Sequence, residues 1–117
     1  GVEPSYDDVL KILQIDIDTK RKRITPSKVI STVGEVFDVK ASEIKGDRRT
    51  SYVAMCRQVV MYILRNELDM PLERVAREVN RKDHTTVIHA CERIKELRDK
   101  DKKLDERVST CIKMLNS

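Results

Sequence analysis

Apolar residues recur along this chain at spacings of three and four, broken by short polar stretches, which predicts a succession of amphipathic helices. Val9, Leu10, Ile12 and Leu13 make a short patch near the start, with Ser5 as a candidate N-cap and Asp7 and Asp8 in its first turn. Thr25-Pro26-Ser27 supplies a hydroxyl cap and a proline at the first helical position, and the stripe Val29, Ile30, Val33, Val36, Phe37 follows. Ser42-Glu43-Ile44 starts a single turn, which Gly46 is expected to stop by taking a left-handed conformation. Residues 52–68 carry so broad an apolar face (Val53, Cys56, Val59, Val60, Ile63, Leu64, Leu68, widened by Met61 and Tyr62) that this is expected to be the longest and most central helix. A last stripe, Leu104, Val108, Cys111, Ile112 and Leu115, follows a charged connection over 99–103.

Two helices between these elements are set close together. Pro71 opens a short one with the stripe Leu72, Val75, Ala76, Val79. Asn80-Arg81-Lys82 is a three-residue break, and asparagine tolerates the left-handed backbone of a tight turn. Asp83 then caps a second helix, with Val87, Ala90, Cys91, Ile94 and Leu97 on one arc and Thr85, His89, Glu92 and Glu96 on the opposite one. Short helix, tight turn, second helix is the helix-turn-helix plan, with small Ala76 where the two must approach. The outward face of the second helix starts with hydroxyls and imidazole, preceded by Arg81 and Lys82. Its acids come only later. That polarity suits a helix whose first turns meet base edges in a major groove. A corner of an ordinary helical bundle has the same pattern.

Composition narrows the field. The chain has 117 residues, enough for one core, and with three Tyr and one Phe that core must be aliphatic. Net charge is +4 but uneven: residues 1–19 carry a local −4, leaving about +8 on the remainder, which favours a polyanionic partner. The basic run Lys20-Arg21-Lys22-Arg23 is the best candidate boundary, either a solvated linker or a phosphate contact. Cys56, Cys91 and Cys111 form no C-x-x-C pair and read as apolar fillers in a reduced compartment. His84 and His89 sit about 140° apart on a helix, wrong for a shared metal. No apolar run approaches the roughly 20 residues of a membrane span, and the start has no basic n-region or long apolar stretch of a signal peptide. A phosphate-binding G-x-x-x-x-G-K-[ST] loop, a nucleophile-base set and paired carboxylates are all missing, so no catalysis is expected.

Asp83-His84-Thr85-Thr86-Val87 followed by His89-Ala90, with Arg48-Arg49 and Arg57-Gln58 upstream, resembles the signature of the C-terminal DNA-binding domain of the bacterial replication initiator DnaA. The likeness covers roughly Ile24 to Ser117 and departs from the family at Met55, Cys56, Asn80 and Lys82. It implies an all-α domain of about six helices, TrpR-like, over 24–117, preceded at 1–23 by a connector helix and basic linker. It also implies binding of double-stranded DNA at DnaA boxes of a replication origin. Expected base contacts are Asp83, His84, Thr85 and His89 in the major groove and Arg49 in the minor groove. Expected phosphate contacts are Arg48, Arg57, Gln58, Lys82, Thr86 and the backbone at Leu72. No cofactor is expected in this domain; ATP belongs to an upstream module, through which other initiator protomers would assemble. The isolated domain is expected to be monomeric, cytoplasmic and nucleoid-associated, and the acidic start argues against a membrane-surface role. Two alternatives stay open: a transposase or repressor module with another DNA target, and a protein-interaction bundle.

Overall fold

The computed structural model describes residues 24–46 and 50–116. The expected connector helix, the run Lys20–Arg23, and Arg48 and Arg49 therefore lie outside the described residues. Among the described residues six helices follow one another: α1 Pro26–Phe37, α2 Ala41–Lys45, α3 Ser51–Asn66, α4 Leu72–Glu78, α5 His84–Lys100 and α6 Lys102–Asn116. No strand occurs among the described residues, so the fold is all-α. Central α3 packs against α1, α2, α4 and α5, while α6 closes the far side against α1 and α5.

The core is aliphatic. Ile30, Ile44, Met61, Ile63, Leu64 and Ile94 are all fully buried, joined by Phe37, the single phenylalanine of the chain. Each such side chain contributes roughly 1.5–3 kcal/mol by leaving water. Cys56 and Cys111 are buried too, and burial pushes both thiols up to about 11, which leaves them inert at neutral pH.

Local chemistry sets the helix ends. Thr25 Oγ1 accepts the Lys28 N–H at 3.1 Å, with Pro26 in the first turn, as the sequence predicts. At the other end of α1, Asp38 takes φ 56°, and Val39 N–H donates back to the Gly34 carbonyl at 2.9 Å. A Cβ on Gly34 would lie 2.5 Å from the Val39 carbonyl oxygen, so only glycine allows this close return. The α4–α5 turn uses the same device. Asn80 is left-handed at φ 57°, Asn80 N–H donates to Arg77 at 3.1 Å and Arg81 N–H to Ala76 at 2.7 Å.

Three expectations need correction. Gly46 ends α2 with extended backbone, φ −83°, not a left-handed one. Glycine is needed there for room, since a Cβ would meet the Ser42 carbonyl oxygen at 2.9 Å. Among the described residues the longest helix is α5, at 17 residues against 16 for α3. It runs on to Lys100 because the charged 99–103 stretch is solvated helix surface with one break at Asp101. The Asp101 carboxylate caps α6, accepting the Lys103 and Leu104 N–H groups at 3.1 and 3.2 Å.

Candidate nucleic-acid interface

Val87, Ala90 and Ile94 are buried, and they fix the rotation of α5 on the domain. The consequence is on the opposite arc. Lys82, Asp83, His84, Thr85, Thr86 and His89 are all exposed, gathered at one end of α5, and its first turn holds no acid. Helix N-terminal dipole, lysine and hydroxyls together make this end favourable to an anion. Ala76 of α4 is buried against α5, as the close approach of the two helices requires.

Asp83 organises the tip. Its Oδ1 accepts the Thr85 N–H at 2.9 Å, and the Thr85 hydroxyl also bonds to the carboxylate. These bonds, the backbone one foremost, hold the Asp83 carboxyl below the usual carboxylate range, with His84 and His89 adding to the effect. Asp83 is thus an anion with one oxygen committed to the cap. Thr85, its hydroxyl committed to Asp83, has a methyl group left for apolar contact. Ile88, one turn beyond His84, adds a second apolar group at 38% exposure, which the sequence reading passed over.

A shallow groove between α3 and α5 brings Gln58, Thr86 and His89 together, with Arg93 and the acids Glu92 and Glu96 along its farther part. The Gln58 Oε1 is buried and meets no donor among the described residues. An unpaired buried acceptor costs about 1–3 kcal/mol. Leu72 lies at the start of α4, half-buried, behind Pro71 as N-cap, with the acid Glu73 in the same turn.

Arg57, expected at a phosphate, is hydrogen-bonded within the domain. It is 6% exposed. Its Nε donates to the Ile44 carbonyl at 2.7 Å, and its Nη2 to the Gly46 and Glu43 carbonyls at 2.9 and 3.3 Å. Two of its three guanidinium nitrogens thus donate to carbonyls at the end of α2. The signal was in the sequence: Arg57 stands four residues after Val53 and three before Val60, on the apolar stripe itself. Asn80 and Arg81 reach the same place. Asn80 Nδ2 donates to Lys45 O and Arg81 Nη2 to Gly46 O, both at 3.2 Å. Periodicity gives no warning of contacts 35 residues apart.

Residues 26–94 match the family described as the bacterial dnaA protein helix-turn-helix. The chromosomal replication initiator protein DnaA of Crocosphaera subtropica is 35% identical over 92 residues, covering 79% of this chain and 20% of that protein. The DnaA of Microcystis aeruginosa is 33% identical over 93 residues, 80% of this chain and 21% of its own length. That of Gloeothece citriformis is 28% identical over 109 residues, 93% of this chain and 24% of its own. The chain thus spans about a fifth to a quarter of the curated relatives it matches.

Proposed function

The chain belongs to the bacterial DnaA helix-turn-helix family, and from that premise we propose that it binds double-stranded DNA in a sequence-specific way at DnaA-box-like sites of a replication origin. The observation that carries this is the exposed start of α5. Six polar side chains from Lys82 to His89 project there together, on a helix whose rotation is fixed by buried Val87, Ala90 and Ile94. In this reading α5 enters the major groove by its first turns. Asp83 accepts from a cytosine N4, His84 and His89 meet base edges, and the Thr85 methyl packs on a thymine methyl. Lys82, Thr86, Gln58 and the backbone N–H of Leu72 hold phosphates and set the register. Arg49 reaches the minor groove and Arg48 a phosphate, on the strength of the family signature. Glu92 and Glu96 mark where the helix leaves the groove, because carboxylates repel the phosphate backbone. The relatives are named for initiating chromosomal replication, and this chain matches a fifth to a quarter of their length.

The test is a fluorescence-anisotropy titration of a DnaA-box duplex against a scrambled duplex of equal composition, at two salt concentrations. Wild type is expected to prefer the box. His84→Ala is expected to lose ~1–3 kcal/mol on the box while keeping its scrambled binding. Equal, salt-sensitive binding to both duplexes by wild type would leave a DNA-binding module with another target. Absence of binding to either would remove the DNA reading.

A further inference from the structure

Donors from two separate parts of the chain converge on four consecutive carbonyls, those of Glu43, Ile44, Lys45 and Gly46. A helix leaves its last carbonyls unpaired, and five-residue α2 has few of its own donors to offer them. Arg57, from α3, serves Glu43, Ile44 and Gly46. The turn between α4 and α5 serves Lys45 through Asn80 and Gly46 through Arg81. The turn is itself held in place. Asn80 sits at φ 57° inside the Arg77 and Ala76 bonds, and Arg81 Nη1 donates to the Asn80 carbonyl at 3.1 Å. Gly46 O therefore receives one arginine from the core helix and one from the helix-turn-helix.

We propose that Arg81 and Asn80 are positioning residues, which fix the end of α2 against the turn that launches the recognition helix, and that Arg81 is not a phosphate ligand. This rests on the reading of α5 and the 46–51 loop as two DNA-contacting elements. An arginine two residues before the Asp83 cap is the first one to assign to a phosphate. Its Nη2 is instead directed at a carbonyl 35 residues earlier in the chain. The effect is that the end of α2, up to Gly46, and the turn before α5 are held in fixed relation. Two contacts held in fixed relation lose less freedom on binding than two independent ones, so the tie raises affinity without touching DNA.

The experiment is a set of box-duplex titrations at several salt concentrations with Arg81→Ala in three backgrounds: wild type, Arg49→Ala and His84→Ala. Asn80→Gly is measured alongside, because glycine keeps the left-handed turn and deletes only the tie to Lys45. Thermal melts establish that each variant is folded at the assay temperature. Arg81→Ala is expected to weaken box binding about fivefold, the equivalent of one hydrogen bond, with the salt slope unchanged. The same fivefold loss is expected with His84→Ala, and a clearly smaller one with Arg49→Ala, where the loop keeps only its Arg48 contact to position. Asn80→Gly is expected to follow the same background dependence. An equal loss in every background, with the salt slope reduced by about one unit, would make Arg81 a phosphate ligand and overturn the proposal. An equal loss in every background at unchanged slope would reduce Arg81 to general stability and overturn it too. If Arg49→Ala alone changes nothing, the minor-groove part of the proposed function fails, and the free protein decides the positioning role. Faster amide exchange at Gly46 in Arg81→Ala and Asn80→Gly then supports it, and unchanged exchange rejects it.

Discussion

Replacing Arg57 by methionine removes the guanidinium while keeping a comparable unbranched stem, so the change isolates the polar contacts from the packing. Three carbonyls lose a charged donor, at 2.7, 2.9 and 3.3 Å. A hydrogen bond to a charged group contributes about 1.5–3 kcal/mol. The sum is not additive here. The bond at 3.3 Å is long, the Glu43 and Gly46 carbonyls are only half-buried and regain water, and the substitution also relieves the cost of burying a cation. The net loss is expected to be about 2–3 kcal/mol. At 4–8 °C per kcal/mol for a domain of this size, the melting temperature should fall by roughly 10–20 °C. Urea unfolding followed by circular dichroism at 222 nm gives the first quantity, and a thermal scan the second. The same variant, titrated with a box duplex while fully folded, should keep the wild-type salt slope. A variant within about 0.5 kcal/mol of wild type in stability, but with a salt slope lower by about one unit, would refute the assignment and return Arg57 to the DNA backbone.

Other perturbations test separate parts of the fold. Gly34→Ala puts a Cβ 2.5 Å from the Val39 carbonyl oxygen, a backbone atom that can yield only by opening the α1–α2 turn, and a loss of about 1–3 kcal/mol is expected in urea unfolding. A neutral Gly34→Ala would mean that the close return is not needed. Arg98 joins three helices: its Nε meets Asp105 Oδ1 at 2.6 Å, its Nη groups meet the Tyr62 hydroxyl and Ser109 Oγ at 3.0 and 3.2 Å, and it stacks 5.7 Å from the Tyr62 ring centre. Arg98→Ala should cost about 1–2 kcal/mol, discounted for partial exposure, and leave box preference intact. Asp83 should titrate below its ordinary value of 3.8 in a carbon-detected NMR titration. Since its folded pKa is depressed, the cap's contribution is complete above the unfolded value and is lost as pH falls through the folded one. Titration at or above 3.8 would mean that the Thr85 bonds do not form in solution. Asp83→Asn should keep the cap, because asparagine is an equally good N-cap, and alter only the reading of the DNA site.

The parts of this molecule legible in the sequence are those set by short-range rules. Thr25 and Asp83 cap the helices that they precede, and Asn80 takes the left-handed turn that its side chain tolerates. Period 3.6 placed Val87, Ala90 and Ile94 inside and left Thr85 and His89 outside. Periodicity assigns a residue to a face but says nothing about where a long side chain ends. The family resemblance, not periodicity, pairs Arg57 with its neighbour Gln58 as a phosphate contact, while in the fold Arg57 lies on the buried stripe and its Nε meets the Ile44 carbonyl. Gly46 shows the same limit at backbone level. A glycine after a short helix suggests a left-handed stop, whereas its function here is to leave room beside the Ser42 carbonyl, and close approach is invisible before folding. The Asn80 and Arg81 ties are long-range and depend on how α2 is docked, which no local pattern encodes.

The central claim is that the first turns of α5 are the surface that meets DNA. Adding a box duplex to the isotopically labelled domain and following every backbone amide tests it most directly. The account predicts the largest shifts from Lys82 to His89, with further shifts at Gln58 and at Leu72–Arg74, and little change along α6 or the outer face of α1. Shifts centred on α1 and α6, with Lys82 to His89 unmoved, would contradict it and place the nucleic-acid surface on the opposite side of the domain.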